Sequence, residues 1–438
     1  MGLSRGRRIV CLTRVLVTGA GGFIGREVVA ALSVAGCEVV AAIRPSGSDQ
    51  GLGQVRIVEL DLTRASPAAW AEALAGVDCV VNCAGVLAAG AGAGSLDVHD
   101  RGVAAMVDAC EAAGVKRLIH FSAIGADDQL TPFARTKLAG DHAVMGAGLD
   151  WIILRPSVVL GAGSSGAGAL IKALAVLPIA PAIESGPFDV VMIEDVRATV
   201  VKLVNEPTPA KRVLELVGPE RLQLNDVVAR YRSWMGWKPA RRVKLPGWLM
   251  QLGFALGDLA GALGWRSAIR TMAQREMKRG ATGDAALWRE TTGIAPRSLG
   301  AALAAHPASL QDRRFAEFFW LKPVVMIVTI LFWIGTGVIS LTIGWDVGIA
   351  YLEEGGMGAW SAPSVVAGAL ADLAIGLGIA YRPTARWALW GAILISLFYA
   401  VAGTIVLPRL WEDPIGPMLK IWPLIVLNFV ALALVRNR

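Results

Sequence analysis

Apolar residues fall into two different patterns along this chain. In the first half they come as short runs that alternate in type. "RVLVT" (14–18) has the length and branching of a buried strand. A glycine-rich turn follows, and then Val28, Val29, Leu32 and Val34 recur on one helical face until Gly36 ends the run. The alternation then repeats: "EVVAAIR", "VRIVELDL" and "VDCVVNCAG" read as further strands, and "VAAMVDACEAAGV" as a helix. "KRLIHFSAIGA" is a fifth strand, "FARTKLAGDHAVMGAG" a helix and "DWIILRPSVVLG" a sixth strand. Repeated strand–helix units predict an α/β fold with a parallel, doubly wound sheet.

The second pattern closes the chain. Residues 323–345, 363–381, 386–408 and 414–435 are continuous apolar runs, each long enough to cross a bilayer. Trp320, Trp345, Trp360, Trp387, Trp411 and Trp422 stand near their ends, as interfacial anchors do. Arg313, Arg314 and Lys322 precede the first run, Arg382 and Arg386 lie between the second and third, and Arg436 and Arg438 follow the fourth. The first outer loop instead carries Asp346, Glu353 and Glu354. This asymmetry predicts a multi-pass protein of the inner (cytoplasmic) membrane with both termini in the cytoplasm. Inside the second run, Asp372 is an ionisable group at a costly depth. Tyr399, near the middle of the third run, is its expected partner, so the pair is a candidate membrane site.

Between the two patterns, residues 221–320 are expected to form a helical, basic connector at the membrane surface. Its apolar run 246–265 nearly reaches spanning length, but Asp258 interrupts it and Arg266, Arg270, Arg275, Lys278 and Arg279 follow. A crossing there would put that basic segment outside, against the positive-inside rule. The run is expected either to lie at the membrane surface or to line a substrate lobe.

Composition agrees with a membrane protein: 55% of the 438 residues are hydrophobic, and 15 are Trp. The formal charge of +7 fits anionic lipid better than nucleic acid, because no aromatic platforms are interleaved with the basic residues. The five cysteines, Cys11, Cys37, Cys79, Cys83 and Cys110, show no CxxC spacing. They read as small, reduced apolar residues of a cytosolic domain rather than as metal ligands. The start, "MGLSRGRRIVCLTRVLV", has no clean apolar core and is not expected to act as a secretory signal.

Chemistry enters at the first turn. Gly19, Gly22 and Gly25 stand at G-x-x-G-x-x-G spacing in a turn between a strand and a helix, and Phe23 and Ile24 within that turn belong to the expected cofactor-binding set. This is the context in which backbone approaches a pyrophosphate and a helix N-terminus favours its charge. The second strand ends not in an acid, which would hold a ribose diol, but in Arg44 followed by Ser46 and Ser48. A cation with hydroxyls suits a 2′-phosphate, so NADP(H) is expected over NAD(H). Asp61, Leu62 and Ala84 complete the expected cofactor-binding set.

"TGAGGFIG", "DL", "NCAG", "HFSAIGAD", "FARTK" and "LRPSVVLG" resemble, in order and spacing, the extended and atypical short-chain dehydrogenases. The resemblance spans residues 14–218, and the branch it resembles contains the NADPH-binding accessory subunit of respiratory complex I. It implies a Rossmann NAD(P)-binding domain with a small substrate lobe over residues 1–220. It also implies a catalytic Ser, Tyr and Lys. Lys137 matches, and Ser122 stands at the end of strand five, but the tyrosine position is occupied by Phe133, which has no proton to give. The chain has only four Tyr, and the nearest in sequence is Tyr231. His120 and His142 could stand in as acids. The last segment, 321–438, resembles the DoxX-like four-helix membrane family.

Two functions remain open on these grounds. One is a membrane-anchored NADP(H)-binding protein with little or no turnover of carbonyls, linked to a membrane redox system and docked on a respiratory-chain partner. The other is an NADPH-dependent oxidoreductase acting on a quinone or other lipid-soluble substrate, for which the loss of Tyr is tolerable.

Overall fold

The computed structural model describes residues 13–45, 47, 49, 51–85, 94–161, 166–265, 267, 269–414 and 416–436. It divides into two compact units: one runs to Asp258 and resumes over Ala268–Ala316, and the other comprises Leu259–Ser267 and Glu317–Arg438.

The first unit is built on β1 (Arg14–Thr18), α1 (Phe23–Val34), β2 (Glu38–Ile43), β3 (Arg56–Glu59), α2 (Pro67–Leu74) and β4 (Cys79–Asn82). The chain continues through α3 (Gly94–His99), α4 (Arg101–Ala112), β5 (Arg117–Phe121), α5 (Pro132–Met145) and β6 (Asp150–Pro156). The lobe elements β7 (Val159–Leu160), α6 (Gly166–Ala175), β8 (Ile179–Pro181), β9 (Phe188–Asp189) and β10 (Val191–Met192) come next. They lead into α7 (Ile193–Asn205), β11 (Arg212–Leu216), β12 (Arg221–Leu222), α8 (Leu224–Trp234) and β13 (Arg241–Val243). The sheet has seven strands in the order β11-β6-β5-β4-β1-β2-β3, and its neighbours pair in parallel.

Both faces of that sheet are covered, which is why its strands read as continuous apolar runs. Val15, Val17, Val81, Ile119 and Ile152 are fully buried on one face. Leu16, Val80, Leu118 and Ile153 are fully buried on the other, with Trp70 and Met106. The strand order reverses between β1 and β4, and ligands of open α/β sheets bind at the carboxyl ends beside such a reversal. Thr18 pairs with Asn82, and Asn82 with His120, so three strands deliver polar side chains to that point.

The expected connector does not stand apart. After β13 come α9 (Gly247–Ala262), α10 (Thr271–Arg279), α11 (Ala286–Thr292), α12 (Leu299–Ala305) and α13 (Leu310–Phe319). Most of this segment folds onto the Rossmann unit. Trp288 is fully buried in the core, and its indole nitrogen donates to Thr199 Oγ1 at 2.9 Å. The Arg297 guanidinium meets Asp195 at 2.9 Å, and the buried Lys172 amine meets Asp312 at 2.7 Å. The basic look of the segment concealed these few anchors. Truncating a buried Trp costs about 3–5 kcal/mol, so one residue suffices to hold a short helix.

In the second unit, α14 (Leu321–Leu341), α15 (Trp345–Glu354), α16 (Ser361–Ala380), α17 (Ala385–Val406) and α18 (Pro417–Arg436) follow. The segments Leu310–Leu341, Gly358–Ala380, Ala385–Val406 and Pro417–Val435 are long and apolar enough to cross a membrane. Helices α14 and α16 approach through glycines: a methyl on Gly337 would lie 2.7 Å from the Ala369 carbonyl oxygen, and one on Gly376 2.9 Å from the Ile334 nitrogen. Arg409 grips Glu354 through two nitrogens and so ties together the connections after α14 and after α17.

Candidate functional site

The turn after β1 is shaped for a close-approaching ligand. Gly19 takes φ +65°, where a side chain is strained, and a Cβ there would come within 2.7 Å of Ala84 backbone atoms. A Cβ on Gly25 would press to 2.3 Å from the Gly19 carbonyl oxygen. Gly22 caps α1 without a side chain, so the first amides of the helix keep their capacity to bind an anion. Phe23 and Ile24 contribute those amides while their side chains pack partly buried against the core. Ala84 is fixed by its amide, which donates to Asn82 Oδ1 at 3.1 Å. The residues present thus fit a dinucleotide.

The adenosine end is marked by Asp61, whose carboxylate accepts from Thr63 N at 3.0 Å and Thr63 Oγ1 at 2.7 Å. The Thr63 hydroxyl, aided by Arg64 and Arg44, holds this acid below the usual carboxylate range. Leu62 is buried in the core beneath it. Arg44 is exposed at the end of β2, whereas Ser46 and Ser48 lie outside the described residues. A second cation escaped the sequence reading. Arg26, next to Gly25, donates to the Gly21 carbonyl at 3.2 Å and runs under the loop after β2, with its Cδ 3.2 Å from where a Gly51 side chain would begin. Its Nε is buried with no hydrogen-bond partner among the described residues, a donor of the kind a phosphate takes up.

At the other end stands Lys137. Helix α5 begins at Thr131, whose hydroxyl accepts the Ala134 amide, and a Pro occupies its first turn. That start sets Phe133 and Lys137 one turn apart on the same side. Lys137 is buried, its amine donates to the Phe121 carbonyl at 2.9 Å, and burial brings it down to about 8, against the pull of Asp141.

His99, at the end of α3, packs edge-on against the Phe133 ring with 5.5 Å between centroids. Its Nδ1 lies 3.2 Å from Thr136 Oγ1, and the Thr136 hydroxyl donates to the Phe133 carbonyl at 3.0 Å. His99 Nδ1 and the Thr136 hydroxyl are thus within hydrogen-bonding distance, and the imidazole tautomer sets which of them donates. A Cβ on Gly85 would lie 3.2 Å from Lys137 Nζ and 3.3 Å from His99 Nε2, so the two nitrogens flank one small space. Burial, and then the Lys137 charge, push His99 down to about 3, which leaves it neutral. Sequence reasoning missed His99 because it lies in no motif; its one signal was its place after the fourth-strand loop.

The two histidines named from sequence do other work. His142 is on the exposed side of α5, away from Phe133. His120 is buried in a polar chain that runs beneath the site: Thr18 donates to Asn82 Oδ1 at 2.6 Å, Asn82 Nδ2 donates to His120 Nδ1 at 2.9 Å, and His120 Nε2 faces Asp141 Oδ1 at 3.6 Å. Burial holds His120 well below its ordinary value, with Lys137 and His99 adding to the effect. Arg155 closes the chain by pairing with Asp141 at 2.8 Å and with Asp127. Burial raises the Asp141 carboxyl, opposed by the Ser122 hydroxyl and Arg155. Ser122 is itself buried, with its hydroxyl turned toward Asp141. Tyr231 offers no rescue of the missing phenol, for it is buried in α8 against Trp234.

The loop after β5 is held by a residue of α10. Arg279, at the end of α10, donates to the Ile124 carbonyl at 3.0 Å and pairs with Glu276 at 2.9 Å. It fills the space above Gly125, where a Cβ would collide with it. The expected pair in the second unit is also brought together: Tyr399 Oη donates to Asp372 Oδ1 at 3.1 Å, linking α17 to α16. Asp372 is buried within its helix bundle.

Residues 19–175 match a family described as NAD(P)H-binding, and residues 330–429 match the DoxX-like family. A ceramide reductase of Caulobacter vibrioides (strain NA1000 / CB15N) is 27% identical over 238 residues, which is 53% of this chain and 73% of that protein. A 2-alkyl-3-oxoalkanoate reductase of Stenotrophomonas maltophilia (strain K279a) is 33% identical over 180 residues, 34% of this chain and 52% of its own length. Among solved structures, MoeE5 in complex with UDP-glucuronic acid and NAD shares a TM-score of 0.53 at 21% identity, covering 69% of this chain and 99% of that one. The epimerase Mth375 of Methanothermobacter thermautotrophicus gives 0.55 at 16%, covering 72% and 95%. These likenesses establish the fold.

Proposed function

We propose, for a chain that joins an NAD(P)H-binding Rossmann domain of the short-chain dehydrogenase kind to a C-terminal DoxX-like domain, that it is a membrane-anchored NADP(H)-dependent reductase of a carbonyl carried on a lipid-soluble molecule. The observation that carries this reading is the convergence of Lys137 and His99 on the space at Gly85, beside the ring of Phe133. When bound, the nicotinamide supplies hydride to a carbonyl carbon; the oxygen that gains charge then needs a proton. Lys137 holds one near neutrality, close to the range where a general acid is most effective. His99, held neutral by burial, borders the same space and lends it a polar ring edge. The buried chain from Thr18 to Arg155 holds the floor of the site rigid. Arg26 and Arg44 favour a 2′-phosphate, hence NADP(H).

The two reductases similar to this chain are both named for substrates with apolar chains. Helices apolar enough to cross a membrane, in the same chain, suit a substrate that partitions into lipid. The test is NADPH oxidation by the full-length protein in detergent, with a 3-oxo lipid and, separately, with quinones. Turnover of the 3-oxo lipid that Lys137→Met abolishes, with NADPH binding retained, supports the reading. Turnover of quinones alone moves the substrate class to quinones. NADPH binding without turnover of either rejects it. That last outcome is the second reading, favoured by Phe133: a module that binds NADP(H) and docks a respiratory-chain partner. In either case the Lys/Arg asymmetry supports a reading in which both termini are cytoplasmic and the membrane is the inner one.

A further inference from the structure

Helix α9 is apolar on two opposite sides, and only one of them is covered. Phe254, Gly257 and Gly261 are buried. Half a turn away, Trp248, Leu252, Leu256 and Leu259 are 67%, 48%, 57% and 56% exposed. Their spacing of four, four and three residues keeps them on one stripe. A stripe of large side chains left in water is the kind of surface that marks a partner.

The helix cannot be read as a fifth span. Sixteen residues make about 24 Å, short of the roughly 30 Å of a hydrocarbon core. Its end is also fastened to polar groups: Asp258 accepts from the Thr271 amide at 3.3 Å and its hydroxyl, and pairs with Arg270 at 3.4 Å. An ion pair of this kind belongs to an interface rather than to a bilayer centre. Just before the helix, Lys238, Arg241, Arg242 and Lys244 are all exposed, and of these Arg242 has an acidic neighbour in Asp226 at 3.8 Å. Basic residues beside an exposed apolar stripe are complementary to anionic headgroups over acyl chains. Among the described residues four helices are apolar enough to cross a bilayer, which makes a lipid surface the partner of choice.

We propose that α9 lies flat in the membrane interface, with the Trp248–Leu259 stripe among the upper acyl segments and the Lys238–Lys244 stretch on anionic phosphates. This makes the catalytic unit itself a peripheral membrane body, beyond the anchoring given by the spans, and it stands whether or not the site turns over a carbonyl.

The test uses full-length protein whose native cysteines are replaced and which still binds NADPH. Leu252→Cys and, separately, Leu256→Cys carry an environment-sensitive fluorophore. The protein is reconstituted in vesicles of equal parts phosphatidylcholine and phosphatidylglycerol. The expected result is a blue-shifted emission, quenched most by lipid spin-labelled near the headgroup and protected from aqueous iodide. Quenching by iodide places the stripe in water and overturns the proposal. Strongest quenching by a label at the chain end makes α9 inserted or spanning, and also overturns it. Protection from both quenchers means that protein covers the stripe, a second copy included, and overturns it as well. In phosphatidylcholine alone, or with Arg241, Arg242 and Lys244 changed to Gln, shallow quenching is expected to fall; no change would remove the headgroup half of the proposal.

Discussion

Replacing Lys137 by Met separates what the fold tolerates from what the site requires. The amine is fully enclosed, and burial brings it from the ordinary 10.5 to about 8. At about 1.4 kcal/mol per tenfold, keeping it charged costs the folded protein about 3 kcal/mol. The sign follows from proton binding. Below pH 8 both the folded and the unfolded lysine are charged, and the native state carries the full cost. Between pH 8 and 10.5 the unfolded chain binds the extra proton, so wild-type stability from this group rises with pH. The methionine variant has no such dependence. It also loses the hydrogen bond to the Phe121 carbonyl, worth roughly 1.5–3 kcal/mol for a charged donor. Net stability at pH 7 is therefore close to balanced, while the difference between the two proteins changes by about 3 kcal/mol from pH 7.5 to 10.5. For a unit of this size that is roughly 5 °C in midpoint. Thermal unfolding of the Rossmann unit in detergent, wild type against variant across that range, measures it. A difference that stays constant with pH, or moves in the variant's favour as pH rises, would refute the buried ammonium and the acid role built on it.

Arg44→Asp is expected to weaken NADPH binding by about 1.5–3 kcal/mol, the scale of a charge-assisted contact, and to leave NADH nearly unchanged; equal losses for both cofactors, measured by titration, contradict the preference. Tyr399→Phe removes the hydroxyl that meets Asp372 and should cost about 0.5–1.5 kcal/mol in the thermal midpoint of the membrane unit. A double-mutant cycle with Asp372→Asn that is strictly additive would mean that the pair is not coupled. A Cys placed at Glu354 should be labelled from outside by a membrane-impermeant reagent and one at Arg382 should not; the reverse pattern inverts the topology. Phe133→Tyr puts a phenol beside His99 and one helical turn from Lys137, and is expected to raise carbonyl turnover by about 10²–10⁴ where proton transfer limits the rate. A variant that gains nothing while wild type turns over rapidly shows that Lys137 and His99 already suffice.

What could be read from the sequence follows the range of the interactions involved. The strands were legible because both sheet faces are covered, so Val15 to Val17 or Ile152 to Leu154 are apolar without interruption. The glycine cradle was legible because its constraint is local: Gly19 and Gly25 touch residues a few positions away, and Gly19 also meets Ala84 at the neighbouring strand end. The Asp372–Tyr399 pair was legible because a bilayer leaves few polar choices at mid-depth. Trp288, Arg279 and Lys172 were not, since each acts at a separation of 89, 155 or 140 residues and nothing local marks its partner. A boundary at residue 220 therefore falls where local pattern weakens, and not where the unit ends.

Phe133 shows how far this distinction reaches into function. A motif read position by position records a lost tyrosine and infers a lost acid. The fold asks a different question, namely which polar atoms surround the space the phenol would have filled. His99 comes from a different strand–helix connection, and its ring rests on the very phenylalanine that marks the loss. Its Nε2 and the Lys137 amine converge on Gly85, the residue after the "NCA" that ends the fourth strand, where a side chain would close the gap between them. A phenylalanine is a reasonable neighbour for such a pair. It brings no competing polar side-chain atom to that space, and burial is the cause that brings the amine down to about 8. With a tyrosine in that place, the phenol would carry the proton and the lysine could remain an ordinary cation. On the proposed reading the acid is therefore Lys137, one turn further along the helix than the position Phe133 occupies.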